Sequence, residues 1–222
     1  ETLLSAIVWL PCNSATIARQ YRLLLDRYAS ETSSQSDFVN WQAHDFSMRV
    51  MGGIEGALLS AAAHLLSFTG TDTIPAIDLL EQYYGADAEK ELIGGSVPAT
   101  EHSVMCMGTA TGEQETFRRL ISEVYPKGIV SIVSDTWDLW KVLTEFLPAL
   151  REEIVGRDGK VVIRPDSGDP VLILCGNPDG ATEPERKGVV ELLWDTFGGH
   201  INSKGYKELA PCIGTIYGDS IT

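Results

Sequence analysis

The chain has 222 residues, of which 44% are hydrophobic and 22% are charged, and its formal net charge is −14. This composition is typical of a globular protein with enough apolar residues for a sizeable core. So acidic a chain argues against nucleic acid or an anionic membrane as the main partner, because both need basic stripes. A small anionic substrate is not excluded, since it needs only a few local Arg or Lys groups or a bridging Mg²⁺. No apolar run approaches the ~20 residues of a membrane span, so we expect a cytoplasmic protein.

Cysteine and histidine spacing gives no sign of a structural metal site. The four cysteines are scattered without a C-x-x-C pair, which is typical of reduced thiols, and no two of the four histidines have metal-ligand spacing. The chain begins at Glu1 inside an apolar run and stops at Thr222 directly after a strand-like segment. We therefore expect a piece of a longer protein, truncated at both ends.

Helical and extended patterns alternate along the chain. Apolar spacing and breaker residues predict helices over 14–30 (with Ser14 as the cap), 54–66, 73–85, 113–126, 136–155 and 189–200. Short apolar runs predict strands over 67–72, 94–102, 128–135, 160–166 and 212–219, and a Pro/Gly-rich excursion over 176–188. Such alternation indicates parallel βαβ units, and no linker divides the chain, so one catalytic domain over 1–222 is expected.

Charged or ring side chains follow almost every predicted strand. In a parallel β/α barrel the carboxyl ends of the strands meet at one rim, where ligands bind, whereas an open doubly wound sheet concentrates such residues at one crevice. Their recurrence from strand to strand favours an α/β fold built on a TIM-like barrel. Because only about six strands are visible, we expect that barrel to be incomplete or irregular.

The segment "VVIRPDSGDP", residues 161–170, shows what such a rim would do. Arg164 offers planar, bidentate recognition of phosphate, and Asp166 offers acceptors for ribose hydroxyls or a metal-bound water. Pro165 restricts the backbone of Arg164 to extended conformations. The alternative is a helix-capping turn that carries a surface ion pair.

Six stretches occur in the order found in one family: "HDFSMR", "FTGTDT", "GGSVPATEHS", "SIVSDTWDLW", "VVIRPDSGDP" and "IYGD". The chain closely resembles the nicotinamide phosphoribosyltransferases, and more distantly the nicotinate and quinolinate phosphoribosyltransferases. The resemblance implies a homodimer of irregular α/β barrels with an active site shared between subunits. It implies that nicotinamide and 5-phosphoribosyl 1-diphosphate give nicotinamide mononucleotide and diphosphate in NAD salvage, with Mg²⁺ and with ATP hydrolysis coupled through a phosphorylated histidine.

Three residues of the first two stretches match positions that bind substrate in this family. Phe46 matches the aromatic that stacks on the pyridine ring, Arg49 a diphosphate-binding arginine, and Asp72 the carboxylate that accepts a hydrogen bond from the carboxamide. A carboxylate would repel nicotinate, so Asp72 favours nicotinamide. The alternatives are a core Phe46, a surface Arg49 and an Asp72 that caps the helix after it.

Two further residues match a catalytic position and a substrate-binding position of this family. His102 matches the phosphorylated, catalytic histidine, and its neighbour Glu101 is a candidate to orient the imidazole. Asp135 matches a rim aspartate that supports the arginine and the nicotinamide pocket. A structural histidine and a helix-capping Asp135 are the alternatives, and His44 and His64 are interpreted as packing or capping residues.

The residues at the last two predicted strand ends also match positions that bind substrate in this family. Arg164 matches a group that contacts diphosphate or nucleotide, and Asp166 a catalytic residue that also binds ribose hydroxyls. Gly218 allows close approach to the nucleotide, and Asp219 takes ribose hydroxyls. Ser47 and Val50 replace glycines of the family pattern, which leaves the loop shape there open. A nicotinate-using relative, a truncated non-catalytic binding remnant and another phosphate-binding barrel remain as alternatives.

Overall fold

The computed structural model describes residues 1–218, so Asp219 lies outside the described residues. Those residues form two compact units, one made of Glu1–Ser96 with Asn202–Tyr206 and the other of Val97–Ile201 with the residues from Lys207 onward. The expectation of one catalytic domain over 1–222 stays a prediction. Within the described part of the chain, no helix combines the length and apolar character that crossing a bilayer requires.

The first unit is mainly helical. Its elements are α1 (Thr2–Thr32), a 3-10 turn (Asp37–Trp41), β1 (His44–Asp45), α2 (Ser47–Val50), α3 (Ile54–Leu65), β2 (Gly70–Thr71) and α4 (Pro75–Tyr84). Strands β1 and β2 pair in parallel, and Gly95 forms a parallel bridge to Gly70 on the other side of β2. Consecutive extended segments are therefore neighbours in this unit.

Helix α1 is longer than the sequence predicts, and the expectation that Ser14 caps it was wrong. The helix begins at Thr2 and continues through Pro11, so Ser14 lies in its interior with its Oγ 3.2 Å from Ser60 Oγ. The apolar run before Pro11 extends the helix, although Leu3, Ile7 and Trp9 remain 58 to 70% exposed.

Small residues set the close packing of α3 on α4. Ala61, Ala62 and Leu65 of α3 pack against Ala76 and Leu80 of α4, and all five are buried. Alanine brings the helix backbones near each other, as the sequence predicts from its small-residue run. Helix α4 ends at Gly85, whose φ of 70° places it in the left-handed region that glycine adopts without steric cost.

The second unit contains a parallel sheet covered by helices. Its helices are α5 (His102–Met107), α6 (Glu113–Arg119), α7 (Leu139–Lys141), α8 (Leu147–Ala149), α9 (Arg151–Val155), α10 (Pro170–Cys175) and α11 (Glu183–Phe197), with π-helical turns at Leu120–Val124 and Val142–Phe146. Its strands are β3 (Lys127–Val133), β4 (Asp158–Arg164), β5 (Gly199–Ile201), β6 (Lys207–Leu209) and β7 (Ile213–Thr215).

Strands β3, β4 and β7 lie side by side in chain order and are parallel. Ala99 adds a parallel bridge to Ser131 on the free side of β3. The inward residues Val130, Ile132, Val161, Ile163 and Ile213 are at most 1% exposed and belong to one apolar cluster with the covering helices. Continuous apolar runs are what a sheet covered on both faces requires, so the predicted α/β class with parallel strands is confirmed.

Three local features differ from or add to the prediction. The helix after β3 begins at Leu139 and is capped by Asp138, not by Asp135 or Thr136. The excursion over 176–188 is not all loop, because Thr182 and Glu185 form a reciprocal capping box that starts α11. The antiparallel pair β5–β6 was not predicted, since its three-residue strands are short and mostly exposed.

Candidate functional site

The carboxyl ends of the parallel strands bring four predicted residues of the second unit together. Asp135 follows β3, Arg164 ends β4, Asp166 comes two residues later and Gly218 follows β7. Matching register between Val133 and Arg164 places the first two strand ends level. This is the convergence that the strand-end pattern predicts.

Asp135 is the centre of this cluster. Its Oδ2 accepts the backbone N–H of Asp166 at 2.8 Å and the Ser167 hydroxyl at 2.6 Å, and its Oδ1 lies 3.2 Å from His102 Nε2. The side chain is 6% exposed, and this buried carboxylate is compensated by donors from one loop and one helix. These contacts fix the loop after β4 relative to the end of β3.

His102 is the first residue of α5, and Glu101 precedes the helix as its N-cap residue. The imidazole is oriented by other acids than its sequence neighbour, namely Asp135 at Nε2 and Asp166, whose Oδ2 lies 3.6 Å from Nδ1. Because a carboxylate only accepts, the bond to Asp135 places the hydrogen on Nε2. The side chain is 46% exposed, so the ring lies between these two acids and part of it remains open to solvent.

Arg164 is almost buried, at 7% exposed. Its Nη2 donates to the carbonyl oxygen of Thr100 at 3.0 Å, and its buried Nε has no hydrogen-bond partner. The Thr100 hydroxyl in turn accepts the N–H of Val133 at 2.9 Å, so Thr100 ties the arginine to β3. A buried guanidinium with an unused donor has the chemistry to bind an anion.

Gly218 lies directly against Arg164 and Asp166. A Cβ atom there would overlap Asp166 Oδ1 and lie 3.0 Å from Arg164 Cδ. The N–H of Gly218 donates to the carbonyl oxygen of Pro165 at 3.0 Å, which fixes this close approach. Glycine is therefore required here by space, and not by its φ angle.

The first unit holds the other predicted residues, around Asp72 just after β2. Asp72 Oδ1 lies 2.8 Å from His44 Nε2 and accepts the Ser96 hydroxyl at 2.5 Å. The carboxylate is 44% exposed whereas the imidazole of His44 is 14% exposed. The centre of the Phe46 ring lies 4.9 Å from that of His44, with the ring planes at 43°.

Buried Asp45 shapes the turn that presents Phe46 and Arg49. Its carboxylate accepts the N–H of Ser47 at 3.1 Å, the Ser47 hydroxyl and the Thr71 hydroxyl at 2.8 Å. Ser47, which replaces a glycine of the family pattern, thus supplies an extra donor that locks the turn. Arg49 follows on α2 and is exposed.

Sequence reasoning missed four supporting residues: His44, Ser96, Thr100 and Ser167. Each acts by a contact with a residue distant in sequence, so no local pattern identifies its partner. Their position inside the family-like stretches "HDFSMR", "GGSVPATEHS" and "VVIRPDSGDP" was the available signal.

One buried carboxyl group lies outside the cluster. Glu113 at the start of α6 is 2% exposed, and its Oε1 has no hydrogen-bond partner. Burial, and then the negative charge of Asp138, raise the pKa of Glu113 to about 7, with Lys141 acting in the opposite direction. In the first unit, burial lowers the pKa of His64, although the charge of Asp45 opposes that change.

Comparison with known proteins identifies relatives of this chain. The profile of the nicotinate phosphoribosyltransferase (NAPRTase) family matches residues 41–222. A nicotinamide phosphoribosyltransferase of Acinetobacter baylyi is 55% identical over 229 residues, which cover 100% of this chain and 45% of that protein. Nicotinamide phosphoribosyltransferases of Mycoplasma pneumoniae and Xanthomonas campestris are 40% and 34% identical over 100% of this chain, covering 46% and 44% of those proteins.

The chain spans about half the length of the curated relatives it matches. The family profile nevertheless covers most of the chain, including the strand-end residues of both units. The chain therefore belongs to the nicotinate phosphoribosyltransferase (NAPRTase) family.

Proposed function

We propose that the full-length protein containing this chain is a nicotinamide phosphoribosyltransferase of NAD salvage. The observation that carries the proposal is the cluster in which Asp135 holds both His102 and the loop of Asp166, beside a buried Arg164. It supplies an anion-binding guanidinium, a hydroxyl-binding carboxylate and an exposed imidazole within one unit. The relatives named as nicotinamide phosphoribosyltransferases support the choice of base.

Nicotinamide binds at Phe46 and Asp72 in this proposal. The Phe46 ring stacks on the pyridine ring, and the Asp72 carboxylate accepts a hydrogen bond from the carboxamide N–H₂. Because Asp72 faces solvent and its Oδ1 is held by two donors, it is prepared to receive an amide. The carboxylate of nicotinate offers no hydrogen to Asp72 and carries the same charge.

The phosphoribosyl group binds at the second unit's strand ends. Arg164 holds the diphosphate with its unused donor, Asp166 accepts from ribose hydroxyls, and Gly218 lets the nucleotide approach the backbone. Arg49 is proposed as a further diphosphate ligand and Asp219 as a further ribose ligand.

The reaction needs little covalent chemistry from the protein. The bond between ribose C1 and diphosphate breaks, C1 becomes oxocarbenium-like, and the pyridine nitrogen supplies the electron pair for the new bond. Arg164 and Arg49 stabilise the negative charge on the leaving diphosphate, while Phe46 and Asp72 hold the nucleophile in place. Positioning and electrostatic stabilisation are therefore the main contributions.

Mg²⁺ fits this arrangement through Asp166. Magnesium on a phosphorylated substrate needs only one or two protein carboxylates, and the Asp166 side chain is partly exposed at 18%. Both oxygens of Asp135 already have protein donors, so Asp135 is a poorer ligand. When bound, the ion neutralises charge on the diphosphate.

ATP coupling is proposed to act through His102. Its Nε2 donates to Asp135, so the other ring nitrogen carries the lone pair that can accept a phosphoryl group. Asp135 fixes the ring and balances the positive charge of a phosphorylated imidazole. Asp166, whose Oδ2 lies 3.6 Å from Nδ1, is also the proposed ribose ligand, so it links phosphorylation of His102 to the ribose site.

We also propose that the parallel strands belong to an irregular β/α barrel in a homodimer with a shared active site. The supporting observation is that neighbouring strands follow chain order in each unit. Such order is typical of β/α barrels, whereas a doubly wound sheet reverses it at a switch point.

The proposal is tested with the full-length protein, 5-phosphoribosyl 1-diphosphate and Mg²⁺, with nicotinamide or nicotinate as the base. We expect nicotinamide mononucleotide as the main product, with a higher kcat/KM for nicotinamide than for nicotinate. A preference for nicotinate would assign the protein to nicotinate-using relatives. Absence of product with either base, despite binding of one substrate, would support a non-catalytic remnant.

A further inference from the structure

His44 contacts both residues proposed to bind the base. Its Nε2 lies 2.8 Å from Asp72 Oδ1, and its ring centre lies 4.9 Å from that of Phe46. The imidazole is 14% exposed, and the carboxylate it meets is 44% exposed. A shielded ring therefore supports a solvent-facing acid and a neighbouring aromatic at the same time.

The strand pairing fixes the position of this ring. His44 is in register with Gly70 across β1 and β2. A Cβ atom at Gly70 would lie 2.7 Å from His44 Nδ1 and 2.9 Å from the carbonyl oxygen of Ala43. Glycine at this position makes room for the imidazole, which lies close to the Gly70 backbone.

The hydrogen-bond chemistry determines what the ring does. A carboxylate oxygen only accepts, so Nε2 of His44 carries the hydrogen. The Ser96 hydroxyl donates to the same Oδ1. Two donors to one oxygen fix the plane of the Asp72 carboxylate, and that plane sets where its other oxygen lies.

We propose that His44 is a positioning residue that determines the selectivity of this protein for an amide base over an acid base. It orients Asp72 toward the carboxamide and, through the contact between the two rings, holds the Phe46 ring in place. The inference rests on the proposed function and adds a residue whose role the sequence pattern left as packing or capping.

The test compares His44→Ala, His44→Gln and wild type in the full-length protein. For the Ala variant we expect the KM for nicotinamide to rise about tenfold, because the hydrogen bond from His44 to the charged Asp72 is lost. The KM for 5-phosphoribosyl 1-diphosphate should change less than about twofold. The kcat/KM preference for nicotinamide over nicotinate falls by a similar factor, because nicotinate does not use the Asp72 acceptor. Glutamine has an amide N–H that reaches the place of Nε2, so His44→Gln restores most of the nicotinamide KM.

Two further variants keep the test decisive. His200→Gln is the matched control, since His200 also pairs with an acid, Glu208 at 3.2 Å, on a strand without proposed substrate contacts. Ser96→Ala removes the second donor to Asp72 Oδ1 and is expected to show the same selective rise, even if His44→Ala folds poorly.

The proposal fails if the two substrates lose affinity equally, if glutamine restores nothing, or if the His44 variants behave as His200→Gln does. A wild-type protein that forms no nicotinamide mononucleotide would instead refute the proposed function. The two failures are therefore distinguishable.

Discussion

The two units each contain a histidine paired with an aspartate, with opposite exposure. In the first unit His44 is 14% exposed and Asp72 is 44% exposed, whereas in the second His102 is 46% exposed and Asp135 is 6% exposed. The buried partner orients the exposed one in both pairs. In the proposed function, the same two residue types present an acceptor for a neutral amide in one unit and a nucleophilic ring in the other.

The largest expected effect is on the exposed histidine of the second pair. His102→Ala should abolish stimulation by ATP and leave a slow basal reaction, because the side chain proposed to take the phosphoryl group is gone. Rates with and without ATP, and transfer of label from γ-labelled ATP to the protein, measure this effect. His200→Ala is the control, and unchanged ATP dependence in the His102 variant would contradict the assignment.

The exposed acid of the first pair should give the next largest effect. Asp72→Ala is expected to raise the KM for nicotinamide by about ten- to a hundredfold, the range for a hydrogen bond to a charged group, with little change for 5-phosphoribosyl 1-diphosphate. Asp72→Asn keeps the shape and removes the charge, so it should also improve the use of nicotinate. Steady-state kinetics with both bases decide the matter, and equal losses for both substrates would overturn the role of Asp72.

A substitution at Gly218 tests the proposed phosphoribosyl site of the second unit. Gly218→Ala should raise the KM for 5-phosphoribosyl 1-diphosphate about tenfold, because the new methyl group displaces Asp166 and Arg164. Gly214→Ala, on β7, is the matched control, since a Cβ there would be no nearer than 3.4 Å to its neighbours. Similar kinetics for the two variants would show that the close approach at Gly218 has no role in binding.

Glu113 contrasts with Asp135: both side chains are buried, but Oε1 of Glu113 has no hydrogen-bond donor. Its pKa is raised from 4.5 to about 7 in the folded protein, so the folded state holds the proton more tightly than the unfolded state. The stability that this proton contributes is therefore fully present below pH 4.5 and is lost as the pH rises to about 7, by on the order of 3 kcal/mol.

Glu113→Gln should remove this pH dependence, which urea unfolding of the full-length protein at several pH values measures. Glu115→Gln, on the same helix but exposed, removes the same charge and should leave the dependence intact, because a surface ion pair contributes little. A Glu113→Gln protein that loses stability over the same pH range as wild type would contradict the account.

The strand ends of the second unit could be predicted from the sequence, but the partners of the site residues could not. Runs such as Val161–Ile163 are continuous and β-branched, so they identify buried parallel strands, and parallel strands place Asp135, Arg164 and Gly218 at one edge. The two-residue strands β1 and β2 are too short to show a period, so the pairing of His44 with Asp72 across them stayed hidden.

His102 illustrates the same limit. Sequence reasoning considered its neighbour Glu101, yet adjacent residues at a helix start point in different directions. The acids that the ring meets, Asp135 and Asp166, come from two other loops, and only the tertiary structure brings them there. Local patterns therefore suggested candidate residues and left open which side chains hold them.

The order of the strands has a consequence for biosynthesis. Each parallel strand of the second unit pairs with the strand made before it, beginning with Ala99 beside β3 and continuing through β4 to β7. Among the described parallel strands of this unit, each new strand leaving the ribosome therefore finds its pairing partner already made. The strand ends that bring in Asp135 and Arg164 are completed in the same order, so a translational pause after β4 would leave this edge of the sheet assembled but unfinished.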